Sequence, residues 1–312
     1  MIVEKWPEEL LLFRHGLSGA NVRKQLAADA RARGETPESA WAFTHQRDMD
    51  CELVSLGHQQ AYSLGRYAAE KYPPNDVYRA SKATLGRDGI VPYPHTHYGM
   101  IEVMLVSPYI RTRQTNEDFC RGLGYRPIIV IEERIRELEF GIMDGLNREG
   151  VRLKYPDEAA RRDRDGKYWY RPPGGESRPD VRMRVHSVLD TINRDYVGVR
   201  LGVMCHSVVV LAFRSLIERW GEEEYMQIDR EDDVKNCGWT RYTRIRKGNG
   251  EYKLTLVEYN IEPPLVEEFF TLNVEHVQDP RTGEHKISVN PDPTRIIVPD
   301  VPPKHDPTRI MG

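Results

Sequence analysis

The chain has 312 residues, of which 39% are hydrophobic and 30% are charged, a composition typical of a globular protein with a full apolar core. Its net charge of −3 at pH 7 argues against nucleic acid or an acidic membrane as a general partner, so any anion site must be local. Because the longest apolar run near the start, Leu10–Phe13, is too short for a signal peptide or a membrane span, and because the four cysteines form no CxxC pair, we expect a cytoplasmic protein with free thiols.

Short apolar runs alternate along the chain with amphipathic helical patterns. This alternation predicts crossover units around a largely parallel sheet. The predicted strands are Leu10–Arg14, Ile101–Ser107, Ile128–Ile131, Val199–Cys205 and Leu254–Tyr259. The predicted helices are His58–Lys71, a helix starting at Pro108, Pro179–Tyr196, and one directly after Cys205.

Two segments interrupt this alternation, and the end of the chain departs from it. Residues 22–50 are charged and rich in alanine, which predicts a helical insertion, whereas residues 75–100 are expected to form an irregular one. Beyond residue 260 lie nine of the 21 prolines, and the pentapeptide DPTRI occurs at 292–296 and again at 306–310. We therefore expect a domain over residues 1–260 and a proline-rich tail over 261–312, lying extended over that domain or over a neighbouring subunit.

Basic residues follow three of the predicted strands. Arg14 and His15 end the first, Arg111 lies in the segment SPYIRTRQT after the second, and His206 lies in VMCHSVVV after the fourth. The carboxyl ends of parallel strands meet at one edge of a sheet, where helix N-termini supply free N–H groups. Two arginines and two imidazoles at such an edge predict a site for a dianion, most plausibly a phosphoryl group.

An acidic segment supplies a candidate proton donor. RIRELEFGIMDG at 134–145 follows a predicted strand and places carboxylates in a loop. Release of an alcohol from a phosphate ester requires protonation of the leaving oxygen, which a buried carboxylic acid can provide. Glu137 is the first choice for this role, with Glu139 and Asp144 as alternatives.

Five motifs in a fixed order resemble the histidine phosphatase superfamily, also called phosphoglycerate-mutase-like. They are RHGxSxxN at 14–21, SxxxRxxQT at 107–115, a REL-type acidic loop at 136–141, PGGES at 173–177, and the strand-end His206. The stretch KYWYRPPGGES is most similar to the branch of broad-specificity phosphatases and fructose-bisphosphatase-like enzymes. The resemblance covers residues 8–260 and implies a three-layer α/β/α sandwich with a mostly parallel central sheet.

The resemblance also implies roles for individual residues. His15 would be the nucleophile that becomes transiently phosphorylated, and Glu137 would be the proton donor that later activates water. The remaining groups would bind the phosphoryl oxygens: Arg14, Arg111 and His206, with Asn21 and the Ser207 amide assisting. Neither a metal nor a cofactor is expected. The chain departs from the family pattern at Leu17, Met143 and Ser207, which leaves the substrate open.

Several of these residues also have a structural interpretation. Ser18 and Asn21 could cap the following helix instead of contacting phosphate. Glu176 of PGGES is expected to fix a loop or to cap the following helix rather than to touch substrate. His95 and His97 have HxH spacing but no acidic or cysteine partner nearby, so we expect them to line the mouth of the site with Tyr78, Arg79 and Lys82 rather than to bind a metal.

The sequence therefore predicts a metal-independent phosphoric monoester hydrolase of the histidine acid type. Its expected partner is a small, sugar-like phosphorylated substrate. No nucleic acid or membrane partner is expected, and a homo-oligomer that involves the C-terminal tail is an option. Two alternatives remain. One is a phosphoglycerate mutase, because Arg161 and Arg162 imitate the arginine pair of mutases. The other is a phospho-ligand-binding protein with weak activity.

Overall fold

The computed structural model describes residues 5–35, 46–73 and 100–267, and two short strands at 276–278 and 285–287. The described strands are β1 (Glu9–Arg14), β2 (Val103–Val106), β3 (Ile128–Ile131), β4 (Arg200–Cys205), β5 (Trp239–Arg246), β6 (Tyr252–Ile261), β7 (His276–Gln278) and β8 (His285–Ile287). The described helices are α1 (Gly19–Ala32), α2 (Ser55–Lys71), α3 (Ile110–Leu123), α4 (Arg148–Lys154), α5 (Pro156–Trp169), α6 (Arg178–Asp195), α7 (Ser207–Ile217) and α8 (Glu222–Glu231).

Six strands form one sheet in the order β3-β2-β4-β1-β5-β6. The first four strands of this order run parallel, and β5 and β6 extend the sheet in antiparallel pairing. The predicted α/β class is confirmed. Strand β5, and with it the antiparallel edge of the sheet, was not predicted from the sequence.

Helices cover both faces of the sheet because β1 buries its alternate residues on opposite sides. Leu10 and Leu12 pack into a core that includes residues of α6 and α7. Leu11 and Phe13 pack into a second core with residues of α2 and α3. A strand that is apolar on both faces requires such a three-layer arrangement.

The α2 and α3 helices cross at a contact that only glycine allows. A Cβ atom on Gly65 would lie 2.1 Å from the carbonyl oxygen of Phe119, and one on Gly122 would lie 2.2 Å from that of Tyr62. Backbone therefore packs directly on backbone. This contact holds α2 against α3, whose first turn carries Arg111.

The predicted boundaries differ from the observed ones in two places near the site. The helix after β2 begins at Ile110 instead of Pro108, because Tyr109 is extended and forms its N-cap. The predicted helical insertion at 22–50 contains α1, which ends at Ala32, and a short 3-10 helix at Asp48–Asp50. Residues 36–45 and most of the predicted irregular insertion at 75–100 lie outside the described residues.

The chain divides into two compact units, Met1–Thr271 and Leu272–Gly312. In the first unit the chain continues past β6, and Val266 bonds to α2: its N–H donates to the Ser63 hydroxyl at 3.1 Å, and its carbonyl accepts from Gln59 at 3.3 Å. In the second unit β7 and β8 pair antiparallel. Both DPTRI copies lie outside the described residues. Of the helices that the structure describes, none is both long and apolar enough to cross a bilayer.

Candidate active site

The first element of the site is the turn that follows β1. This strand is fully buried, and its last residue, Arg14, pairs with Cys205 at the end of β4. The backbone then approaches the start of α2 so closely that a Cβ atom on Gly16 would lie 2.4 Å from the carbonyl oxygen of Gly57. An apolar strand before it and an obligatory glycine after it therefore place His15 at the carboxyl edge of the sheet.

His15 is buried, and its hydrogen bonds define one tautomer. Its Nδ1 lies 2.7 Å from the carbonyl oxygen of Gly16, which can only accept, so Nδ1 carries the hydrogen. Its Nε2 accepts a hydrogen bond from Nε of Arg111 at 3.0 Å. Burial lowers the pKa of His15 well below its usual value, and the charges of Arg111 and Arg14 lower it further. The imidazole is therefore neutral near pH 7, with its lone pair on Nε2.

Arg111 lies in the first turn of α3 and is only 3% exposed. Its guanidinium donates from Nη2 to the Asp48 carboxylate at 2.8 Å and from Nη1 to the Asp48 carbonyl oxygen. It also lies over the ring of Tyr109, 5.0 Å from the centroid. Asp48 was not predicted as a site residue, because it lies in a 3-10 helix within the segment 22–50 that was expected to be an insertion.

The second histidine, His206, lies beside the first. It is fully buried at the N-cap of α7, and the centroids of the two imidazole rings are 5.2 Å apart. Nε2 of His206 shares a hydrogen bond of 2.8 Å with the Ser107 hydroxyl. Its Nδ1 is buried and has no hydrogen-bond partner among the described residues. Burial lowers the pKa of His206 well below its usual value, and the nearby cation Arg111 adds to this effect.

Glu137 is the carboxylate closest to His206 among the three candidate acids. Its Oε2 lies 4.0 Å from Nδ1 of His206, and its Oε1 accepts the N–H of Leu138 at 2.8 Å. Burial raises the pKa of Glu137, although the charge of Arg111 opposes this effect. A carboxyl group in this environment retains its proton at a higher pH than an exposed glutamate does.

The two alternative acids are held by other contacts. The Glu139 N–H donates to Glu176 at 3.0 Å, and the Glu139 carboxylate accepts from the N–H of Gly141 at 3.3 Å. Asp144 accepts the N–H of Asp48 at 2.9 Å. Glu176 also binds Arg136 and Arg184, at 2.9 and 3.0 Å, so it fixes the PGGES loop against the acidic loop.

Arg14 points a buried guanidinium into the same region. It donates from Nη1 to the carbonyl oxygen of Val234 and lies 4.0 Å from Asp233. Burial lowers the pKa of Arg14, yet a guanidinium stays protonated in proteins. Its Nε is buried with no partner among the described residues. Arg14 and His206 thus each present a buried nitrogen that no described residue satisfies, and such a nitrogen usually bonds to a ligand or to water.

Ser18 and Asn21 form a capping box at the start of α1. The Ser18 hydroxyl accepts the N–H of Asn21 at 3.4 Å, and the Asn21 side chain accepts the N–H of Ser18 at 3.2 Å. Asn236 bridges this cap to the nucleophile, donating from Nδ2 to Asn21 at 3.2 Å and to the carbonyl oxygen of His15 at 2.9 Å. Ser207 is the first residue of α7, so its N–H belongs to a free helix N-terminus.

The arrangement combines a neutral imidazole, two cations and a carboxyl group of raised pKa within one buried cluster. Such a cluster can bind an anion, and it pairs a nucleophile with a general acid. Sequence reasoning missed Asp48, Ser107 and Asn236. Only the SxxxRxxQT motif carries a signal for one of them, since its first residue is Ser107.

No group of three or more histidine, cysteine, aspartate or glutamate side chains that could hold a metal ion occurs among the described residues. The HxH residues His95 and His97 lie outside those residues, as do Tyr78, Arg79 and Lys82. That the chemistry needs no metal therefore stays a prediction.

Comparison with known proteins assigns the family. The family model of the histidine phosphatase superfamily (branch 1) matches residues 96–257, about half of the chain. The chain belongs to the histidine phosphatase superfamily. Because the match includes Arg111, Glu137 and His206, three residues of the candidate site fall inside the matched region.

Relatives of this chain include mutase-like proteins, and a phosphatase of known structure shares its fold. A phosphoglycerate mutase-like protein of Arabidopsis thaliana is 27% identical over 243 residues, which cover 74% of this chain and 72% of the relative. A 2,3-bisphosphoglycerate-dependent phosphoglycerate mutase of Methylobacterium radiotolerans is 30% identical over 63% of this chain and 73% of its own length. The fold matches a mycobacterial glucosyl-3-phosphoglycerate phosphatase with a TM-score of 0.53 at 18% identity, over 81% of this chain and 99% of that one.

Proposed function

We propose that this protein hydrolyses small phosphorylated metabolites through a phosphohistidine on Nε2 of His15. The protonation pattern of the site carries the proposal. The lowered pKa of His15 leaves a nucleophilic lone pair at neutral pH, and the raised pKa of Glu137 favours a proton that can be donated to the leaving group. These opposite shifts suit a nucleophile and a general acid.

In the proposed reaction Nε2 of His15 attacks phosphorus, and the ester oxygen leaves with the proton of Glu137. Water then attacks the phosphohistidine, Glu137 accepts a proton from it, and inorganic phosphate departs. The positive charge for both steps would come from Arg14 and Arg111, with His206 donating through Nδ1. The unsatisfied Nε of Arg14 and Nδ1 of His206 are the atoms that we assign to phosphoryl oxygens.

A basic cluster beside this site supports a substrate with further anionic groups. Burial and then the charges of Arg178 and Arg148 lower the pKa of Arg162, so these cations lie close together. Tyr225 lies near both the cluster and Glu137, because the charges of Arg178 and of Glu137 act on its pKa. Within the cluster, Arg178 is paired with Asp229 at 3.5 Å. Sugar phosphates that carry a second phosphate or a carboxylate would match this charge distribution.

The second candidate function is that of a mutase, and the state of Arg161 argues against it. Arg161 is bound to Glu158 at 3.3 Å, to Asp165 at 3.4 Å and to the carbonyl oxygen of Arg171 at 3.0 Å. Its guanidinium is therefore held by contacts within α5 and with the backbone that follows this helix. Arg161 and Arg162 consequently do not present a pair of free guanidinium groups, which favours the phosphatase.

The test is to incubate the protein with 3-phosphoglycerate and with sugar phosphates, with and without EDTA. Phosphate release and isomer interconversion are followed together. We expect net phosphate release that EDTA does not diminish, that needs no added 2,3-bisphosphoglycerate, and that the His15→Ala variant lacks. Fast interconversion with negligible phosphate release would instead establish a mutase, and loss of activity in EDTA would contradict the metal-free site.

A further inference from the structure

Arg111 has every nitrogen of its guanidinium engaged by protein atoms. Its Nε donates to Nε2 of His15 at 3.0 Å, its Nη2 donates to the Asp48 carboxylate at 2.8 Å, and its Nη1 donates to the Asp48 carbonyl oxygen. The proposed function gives Arg111 to the phosphoryl group. The guanidinium that must bind the phosphoryl group therefore already holds one anion, the Asp48 carboxylate, through its Nη2.

The hydrogen bond from Arg111 also occupies the nucleophile. Since Nδ1 of His15 donates to Gly16, Nε2 holds the lone pair that must attack phosphorus. A lone pair that accepts a hydrogen bond from Arg111 cannot at the same time point at a phosphorus atom at attack distance. In the observed arrangement Arg111 therefore blocks the lone pair of the nucleophile.

The 3-10 helix that carries Asp48 is attached to the acidic loop. The N–H of Asp48 donates to Asp144 at 2.9 Å, and the Arg47 side chain lies 3.6 Å from the same carboxylate. The side chain of Asp48 itself remains 19% exposed, at the solvent side of a buried arginine. It is therefore placed where it can leave Arg111 without first breaking the core.

We propose that the phosphoryl group displaces the Asp48 carboxylate from Nη2 of Arg111, and that the guanidinium, as it turns to the phosphoryl oxygens, withdraws its Nε from Nε2 of His15 and frees that atom for attack. The inference rests on the proposed function, because it concerns the same site. A carboxylate and a phosphoryl dianion repel each other when both lie against one guanidinium. Asp48 thus keeps the buried Arg111 paired until a stronger anion replaces it.

Inorganic phosphate, titrated calorimetrically into the wild type and the Asp48→Asn variant, tests the exchange. The variant keeps the side-chain size and removes the competing charge, so phosphate should bind about tenfold more tightly. The matched control is Asp50→Asn, which makes the same change in net charge on an exposed residue of the same 3-10 helix. We expect it to change the affinity by less than about twofold. Weaker binding by Asp48→Asn would overturn the proposal, because it would mean that Asp48 only positions Arg111.

A crystal structure of the wild-type protein with phosphate bound provides a second readout that needs no variant. We expect the Asp48 carboxylate beyond hydrogen-bond distance of Arg111, and Nε2 of His15 facing phosphorus. An intact pair of Asp48 and Arg111 beside bound phosphate would overturn the exchange. Phosphate bound with Asp48 displaced, in a protein that hydrolyses no phosphate ester, would contradict the proposed function alone, and absence of phosphate binding would contradict both.

Discussion

The two buried histidines predict a specific dependence of stability on pH. In the folded protein His15 and His206 are 3% and 0% exposed, and burial lowers the pKa of each. In the unfolded chain a histidine has a pKa of about 6.5. As the pH falls below that value, the unfolded chain takes up two protons that the folded site does not, so the free energy of unfolding must fall.

Each such group contributes a slope of about 1.4 kcal/mol per pH unit until the pH reaches its folded-state pKa. The two histidines together therefore lower the free energy of unfolding by about 2 to 3 kcal/mol between pH 7.5 and pH 5.5. Above about pH 6.5 their stabilising effect is fully present. The carboxyl group of Glu137, whose pKa is raised, makes the folded protein more stable as the pH falls. Because the wild type and the histidine variant described next both contain Glu137, its effect cancels when the two are compared.

Urea unfolding at both pH values measures this effect in the wild type and in a His15→Gln/His206→Gln double variant. The double variant should lose about 2 to 3 kcal/mol less stability on acidification than the wild type does. His186→Gln, on a side chain that is 64% exposed, is the control and should follow the wild type. A double variant with the wild-type pH dependence would refute the reasoning, because the histidines would then not be buried in the neutral form.

Three further predictions concern the acid, the helix crossing and the tail. Glu137→Gln should lower the turnover of substrates with poor leaving groups about 10²–10⁴-fold and the turnover of aryl phosphates less. A larger loss for Glu139→Gln would assign the role of proton donor to Glu139 instead. Gly65→Ala should lower the free energy of unfolding by about 1 to 3 kcal/mol or more in a denaturant titration. Gly248→Ala, where a Cβ atom meets nothing within 4 Å, should not. Deleting the residues after 267 should change the number of subunits measured by light scattering or the melting temperature, and no change in either would mean that the tail has no structural role.

The parts of the fold that sequence reasoning predicted are those with strong local signals. The strands β1, β3 and β4 are short apolar runs, and the structure contains all three within one residue of the predicted bounds. The strand β5 has the sequence WTRYTRIR, in which arginines interrupt the apolar residues. It folds as a strand because its partners in the sheet are β1 and β6, a tertiary effect that local propensity does not carry.

The same distinction applies to the site. Arg14, Arg111 and His206 could be brought together from the sequence because each follows a strand of a parallel sheet. Asp48 and Asn236 could not, because neither follows a predicted strand. Their contacts with Arg111 and His15 join residues 63 and 221 positions apart in the chain, so only the folded structure places them.

The central claim is that His15 carries the transferred phosphoryl group. Rapid quenching of the protein with a labelled phosphate ester should trap a phosphoenzyme that is labile to acid and stable to base, with the label on His15. The His15→Ala variant should lose both the label and turnover. Robust turnover by that variant, or a label on another residue, would contradict the account.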